Sequence, residues 1–337
     1  MTKRPVREVA LVAMAFALAA CGATAGPTDE GNGASDGSPG KAGTIKVGVS
    51  PTLSATSLYQ AMGDGGQLKD AGITVTTEPI TSGPQAIPLL LNGQTQITSA
   101  DPMSVAVAIS KNVPIEIVAQ GAAFADRPEL DATALVTKAG GPARLTDLKN
   151  AKVAVVGLNT ISQLGIQAAV DSAGGDSSTI NVVELPLPNM VDAVNRGQVA
   201  AALIAEPFLS SALQVGLRPM ANPLSEQIAG VGQLVYVATK KWAAANPDAV
   251  RGFATAMKAA NEQLAAGPEQ IRKIGARITQ LTPAQLGQIR LPNFTPSTVD
   301  VDKLQGLIDQ MVKYHYLSSS LKASSFVNPA ATARVGR

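Results

Sequence analysis

Side chains able to do covalent or acid–base chemistry are scarce in this chain: one histidine, His315, and one cysteine, Cys21, stand in 337 residues. A single imidazole cannot make a His-rich zinc site, and a single thiol cannot hold an iron–sulfur cluster or close a disulfide. A Ser-His-Asp triad would have to use His315, which lies in Lys313-Tyr314-His315-Tyr316 at the end of an expected helix, where a surface or capping role is the first reading. The chain offers polar loops instead, at residues 50–57, 81–83, 99–101, 120–124 and 159–162 and at Glu206. Their hydroxyl, amide and carboxylate groups are suited to binding small polar molecules rather than to reacting with them. Several of these loops run into helix N-termini, where free backbone N–H groups and the helix dipole favour an anion. Asn159-Thr160-Ile161-Ser162 suits this best, although Thr160 or Ser162 serves equally as an ordinary cap. Asp101 before Pro102 reads first as an N-cap, whereas Glu206 is a poorer cap and reads first as a ligand or interlobe residue.

These loops need a scaffold that brings them together. Alternating apolar residues predict strands at 44–49, 73–77, 95–98, 115–119 and 133–136, with short helices at 57–62 and 85–92 between them. The pattern then restarts, with strands at 152–156, 180–185 and 200–204 and helices at 162–173 and 190–196. Strands alternating with helices argue for α/β layers around largely parallel sheets. Two stretches match role for role: Asn92-Gly93-Gln94 leading to Asp101-Pro102, and Arg196-Gly197-Gln198 leading to Glu206-Pro207. An ordered set of such correspondences predicts two similarly built lobes. In open parallel sheets ligands sit beyond the carboxyl ends of the strands, which is where the polar loops fall.

A strand at 231–239 leaves the second lobe, and everything later is helical, at 240–246, 247–266, 268–278, 283–289 and 301–316. Ala249, Val250, Phe253, Met257, Ala260 and Leu264 make one apolar face, beside which Trp242, the only tryptophan, is expected to pack. The small, polar tail at 318–337 is expected to be loosely docked or frayed.

The start of the chain has its own logic. Lys3, Arg4 and Arg7 precede an apolar run at residues 9–20, roughly 18 Å long as a helix and too short for a hydrocarbon core of ~30 Å. This is the pattern of a secretory signal over residues 1–20. Residues 21–43 carry no large apolar side chain after Cys21 and read as a flexible tether. Removing the signal takes three of 27 basic and one of 25 acidic side chains, leaving 24 of each. That balance gives no support to nucleic-acid binding. Hydrophobic residues make up 45% of the chain but aromatics only 3%, so its cores must be built from Ala, Val, Leu and Ile.

Leu18-Ala19-Ala20-Cys21 resembles a bacterial lipobox, which implies lipid on the Cys21 sulfur and a membrane anchor outside the cytoplasm. Together with the tether, Ser82-Gly83, Asn92-Gly93-Gln94, Asp147-Leu148-Lys149, Lys152-Val153-Ala154-Val155, the loop 157–162 and Glu206-Pro207-Phe208, it resembles the substrate-binding proteins of ABC importers. The resemblance spans residues 44–315 and is to the group serving aliphatic sulfonates, taurine, nitrate and thiamine-precursor pyrimidines. It implies an α/β type II periplasmic-binding-protein fold: two Rossmann-like lobes with mixed central sheets, joined by two crossing strands. The crossings are expected at 135–138 and 234–237, giving lobe 1 as 44–137 plus 236–337 and lobe 2 as 138–235. The implied site is Ser54, Thr56, Ser82, Gly83, Ser99, Asp101, Phe124, Asn159, Thr160, Ser162 and Glu206. The implied role is capture of a small polar or anionic organic solute by hinge closure of a monomer, with a permease and its ATPase as partners, no cofactor or metal, and no catalysis. Fungal pyrimidine-synthase relatives use Cys and His near the site, and this chain has no cysteine beyond Cys21. A tethered ligand sensor, or an enzyme on the same fold, remains the alternative role. The only arginine in the candidate loops is Arg127, so a bidentate clamp on an anion is absent from them or lies elsewhere. Aromatic side chains able to sandwich a ring are limited to Tyr59, Phe124, Phe208 and Tyr236, and two acids near the cleft point to an amine on the ligand, as in taurine.

Overall fold

A computed structural model describes residues 43–63, 66–80 and 83–333, with the backbone alone at 83–85. Cys21, the signal, the tether and Ser82 lie outside the described residues.

The first sheet begins with β1 (Thr44–Val49), followed by α1 (Thr56–Met62) and α2 (Gln67–Asp70). Next come β2 (Thr74–Pro79), α3 (Gly83–Leu91), β3 (Ile97–Ala100), α4 (Pro102–Ser110) and β4 (Ile115–Gln120). The chain then passes to a second sheet through β5 (Thr133–Thr137), β6 (Lys152–Val155), α5 (Ile161–Ser172) and β7 (Asn181–Glu184). That sheet is completed by α6 (Leu187–Asn195), β8 (Ala201–Ala205), α7 (Phe208–Gln214), β9 (Arg218–Ala221) and α8 (Pro223–Ile228). A return strand, β10 (Val235–Thr239), leads to the helices α9 (Lys240–Ala245), α10 (Pro247–Ala266), α11 (Pro268–Ile278), α12 (Pro283–Gln288) and α13 (Val301–Lys313).

Both sheets have five strands, ordered β2-β1-β3-β10-β4 and β7-β6-β8-β5-β9. In each, the first three strands are parallel and one strand that has crossed from the other lobe inserts antiparallel as the fourth. This is the two-lobed α/β plan that the repeat predicts, with the mixed sheets that the resemblance implies. The crossings fall earlier than expected. Thr133 to Thr137 are all paired with β8, so β5 belongs to the second sheet and not to a first lobe ending at 137. Val235 to Thr239 are all paired in the first sheet, so the return precedes β10.

The turn glycines explain why the two halves read alike. Gly93 and Gly197 end α3 and α6 with φ of 71° and 69°, in the left-handed region that glycine enters without strain. The next residues donate N–H to Leu89 and Ala193, and two residues on Gln96 and Ala200 donate to Lys46 and Lys152, starting the next strand beside the first.

Among elements the sequence does not announce, β9 is an edge strand paired only with β5; Pro219 lacks an N–H but is tolerated at an edge. The described part of the tail, 318–333, is docked rather than frayed. Phe326 accepts from the Ile117 N–H, Asn328 donates to the Ile117 carbonyl, and Phe326 is buried against the core, so Val327 makes a single parallel bridge to the edge of β4 between two short helical turns. Trp242 is half-buried beside the face of α10, as expected. His315 is exposed with φ of 63° just beyond α13.

Helix α13 packs on α4 of the first lobe and on α5 and α8 of the second. The Tyr314 hydroxyl donates to Asp171 at 2.9 Å and the Tyr316 hydroxyl to Gln167 at 2.8 Å. Burial pushes the Tyr316 phenol up to about 12. Burial also pushes the Asp171 carboxyl up, but donors from Ser177 and Tyr314 and the Lys313 charge outweigh it and hold it below the usual range.

Candidate functional site

A cavity of ≈ 350 Å³ opens where the two sheets face each other across the crossings. The loop after β1 supplies Pro51, Thr52, Leu53 and Ser54, and the crossings supply Ala132, Thr133 and Gln233. The carboxyl end of β8 adds Ala205, Glu206 and Pro207, and the far wall is Thr279, Leu281, Arg290 and Pro292 from the C-terminal helical region. Strand ends, crossings and helix termini therefore meet there, as an open α/β sheet requires. A wider groove of ≈ 570 Å³ along α9 and α10 draws on the first lobe alone.

Arg290 is the cation of this cavity. It is half-buried and donates Nη1–H to the Asp131 carbonyl at 3.1 Å. Among the described residues no carboxylate lies within ion-pair distance of its guanidinium. Sequence reading of the strand-end loops misses it because it sits in an irregular segment after α12, with no motif around it.

Glu206 stands opposite. Its carboxylate accepts from the Ser210 N–H at 3.1 Å, the Ser210 hydroxyl at 2.9 Å and the Arg290 backbone N–H at 3.0 Å. Ser54 donates to Gln233 Oε1 at 2.9 Å, fixing the loop after β1 against the second crossing. Asp131, at the first crossing, is 4% exposed and accepts from Thr133 N–H, Thr133 Oγ1 and Ser225 N–H. Burial raises its carboxyl above the usual range, against the lowering effect of those donors.

Of the residues singled out from sequence, Ser54 and Glu206 line the cavity. Thr56 is buried and donates its hydroxyl to Leu53 O, and Ser99 is buried within β3. Asp101 accepts from the Ser104 N–H at 2.8 Å and caps α4. Phe124 is buried in a core cluster, and Gly83 begins α3. Thr160 donates to Gly157 O, Asn159 takes a φ of 57°, and Ser162 is half-buried in the first turn of α5; none of the three lines the cavity. Arg127 is exposed and also lies outside the cavity lining. Among the described residues no group of three or more His, Cys, Asp or Glu could hold a metal ion, and no helix is long and apolar enough to cross a membrane.

This architecture is that of the periplasmic binding proteins. The periplasmic aliphatic sulphonate binding protein of Escherichia coli superposes with a TM-score of 0.69 at 17% identity, over 86% of this chain and 98% of that one. The periplasmic nitrate-binding protein of Synechocystis PCC 6803 gives 0.64 at 14% identity, over 84% of each. In sequence, the chain is 26% identical over 244 residues to the taurine-binding periplasmic protein of Escherichia coli (strain K12), covering 72% of this chain and 73% of that protein. Residues 55–271 match the family described as NMT1/THI5 like, and the chain belongs to that family.

Proposed function

We propose that this protein captures a small organic acid of the sulfonate or taurine kind in the interlobe cavity and delivers it to an ABC permease and its ATPase. The observation that carries this reading is Arg290: a half-buried guanidinium in the cavity wall with no carboxylate partner among the described residues. A planar cation with several N–H donors suits a sulfonate, nitrate or carboxylate group. Thr52, Ser54, Thr133, Thr279 and Gln233 surround it with groups that complete a ligand's hydrogen bonds. None of the described lining residues is aromatic, so a pyrimidine has no ring to stack on. The named relatives for aliphatic sulphonate and taurine support the same class, and the one for nitrate supports a ligand carrying an oxyanion. Binding and release suffice for this role, with no chemical step. Capture takes place outside the cytoplasmic membrane, as for the periplasmic relatives, with Cys21 carrying the lipid that tethers the protein and the folded body acting as a monomer.

Thermal unfolding of the full chain against taurine, alkanesulfonates, nitrate, aminopyrimidines, amino acids and simple carboxylates tests this. A ligand at a hundred times its dissociation constant adds about 2.7 kcal/mol, a shift of several degrees. A shift with sulfonates or taurine is expected. Stabilisation by aminopyrimidines alone, or by nothing anionic, would sink the assignment.

A further inference from the structure

We propose that Glu206 is a positioning residue, locking the two lobes over the cavity by holding the backbone of Arg290, and that it does not contact ligand. This rests on the interlobe cavity being the binding site. Glu206 stands at the carboxyl end of β8 in the second sheet, while Arg290 follows α12, which packs on α11 and through it on α1 and α10 of the first lobe. Their 3.0 Å hydrogen bond therefore crosses from lobe to lobe.

The contact continues along α7. Ser210, one turn on, lies within hydrogen-bond reach of both Glu206 Oε1 and the Gln288 carbonyl, and Gln214, a further turn on, donates to Gln288 Oε1 at 3.2 Å. Residues 206, 210 and 214 share one face of the segment, so a single strip of the second lobe meets the end of α12. A carboxylate offers about four acceptor positions, and Glu206 has three filled by protein N–H and O–H groups. It has no need of a ligand ammonium. Arg290 is thereby fixed twice, at its backbone by the second lobe and at its guanidinium by the Asp131 carbonyl of the first crossing. When the lobes part, the Arg290 backbone loses the partner that holds it beside the crossing. Placement of the anion receptor and closure of the lobes are then one event.

The test measures lobe separation directly, in the full chain with C21S and spin labels at K69C on α2 and N195C on α6, both exposed positions. Without ligand, the unmodified latch gives a short-distance population beside the open one that admits ligand. E206A is expected to shift it to longer, broader distances, and S210A to do so less. E206Q should restore the short distances, because an amide oxygen still accepts from the Arg290 N–H. R290A keeps that N–H and should stay closed. With taurine and ethanesulfonate as probes, E206A should bind about tenfold more weakly, chiefly through faster release, and E206Q within about threefold of wild type. Unchanged distances in both E206A and S210A would overturn the proposal. So would an E206Q affinity as poor as that of E206A, since the negative charge would then be serving the ligand. If no probe binds wild type, the sulfonate reading fails, while the ligand-free distances still judge the latch.

Discussion

The two lobes are built on one plan and differ in what they do with the acid at the end of their third strand. In the first lobe Asp101 follows β3 and precedes Pro102; in the second Glu206 follows β8 and precedes Pro207. The aspartate turns back on its own helix and accepts from Ser104 N–H. The glutamate, one methylene longer, accepts from Ser210 and also reaches the opposite lobe. Equivalent positions in a repeated fold can thus be divided between holding one lobe together and holding two lobes to each other, with side-chain length making the division.

The sharpest contrast lies at the guanidinium that the glutamate holds by its backbone. Arg290→Ala removes charge-assisted hydrogen bonds of about 1.5–3 kcal/mol, so affinity for an anionic ligand should fall roughly tenfold to a hundredfold by calorimetry. Asp101→Ala should leave that affinity unchanged. An equal loss from both would erase the difference between the lobes.

Asp131 probes the crossing that joins them. Asp131→Asn cannot accept on both sides, and leaving the Ser225 N–H unpaired should lower stability by about 1–3 kcal/mol in denaturant unfolding. The pH dependence has a definite sign. Because the folded carboxyl is raised by burial, its contribution is fully present below the unfolded value near 3.9 and is lost as pH rises through the folded one. The stability advantage of wild type over Asp131→Asn should therefore shrink as pH rises from about 4, and then level off. Asp171, held low, has the opposite sign: its contribution is present above its unfolded value and lost as pH falls through the folded one.

The shared plan is tested by the matched glycines. Gly93→Ala and Gly197→Ala each force an L-residue into the left-handed region, at about 1–2 kcal/mol. Equal drops in melting temperature are expected, since the Lys138 Nζ that a new Cβ would meet at position 197 is the end of a flexible side chain. Last comes Asp101→Ala as a stability change, about 1 kcal/mol for a lost N-cap.

These contrasts also mark what was legible beforehand. The repeated Gly-Gln turns and acid-Pro corners are local devices whose residue types carry their geometry, so the two-lobed sheet plan could be read from them. The strand β9 could not, because Arg218-Pro219-Met220-Ala221 has no apolar alternation and forms through its pairing with β5. The tail reads as polar, yet Phe326 and Ala323 find a place that exists only once β4 is present. Within the site, Ser54 and Glu206 lie on strand-end loops where fold logic directs attention. Arg290 is brought there by the packing of α11 and α12, a long-range consequence with no local signature.

The position of β10 has a consequence for the order in which the chain acquires its structure. It is the strand between β3 and β4, although it follows β4 by more than a hundred residues, so the first sheet cannot close until the whole second lobe has been synthesised. The second sheet draws its five strands from the unbroken interval 133–221. Shorter loops close with less loss of entropy, and domains generally fold as they emerge from the ribosome. The later lobe in sequence is thus the first to have all its strands, while the first lobe still waits for β10.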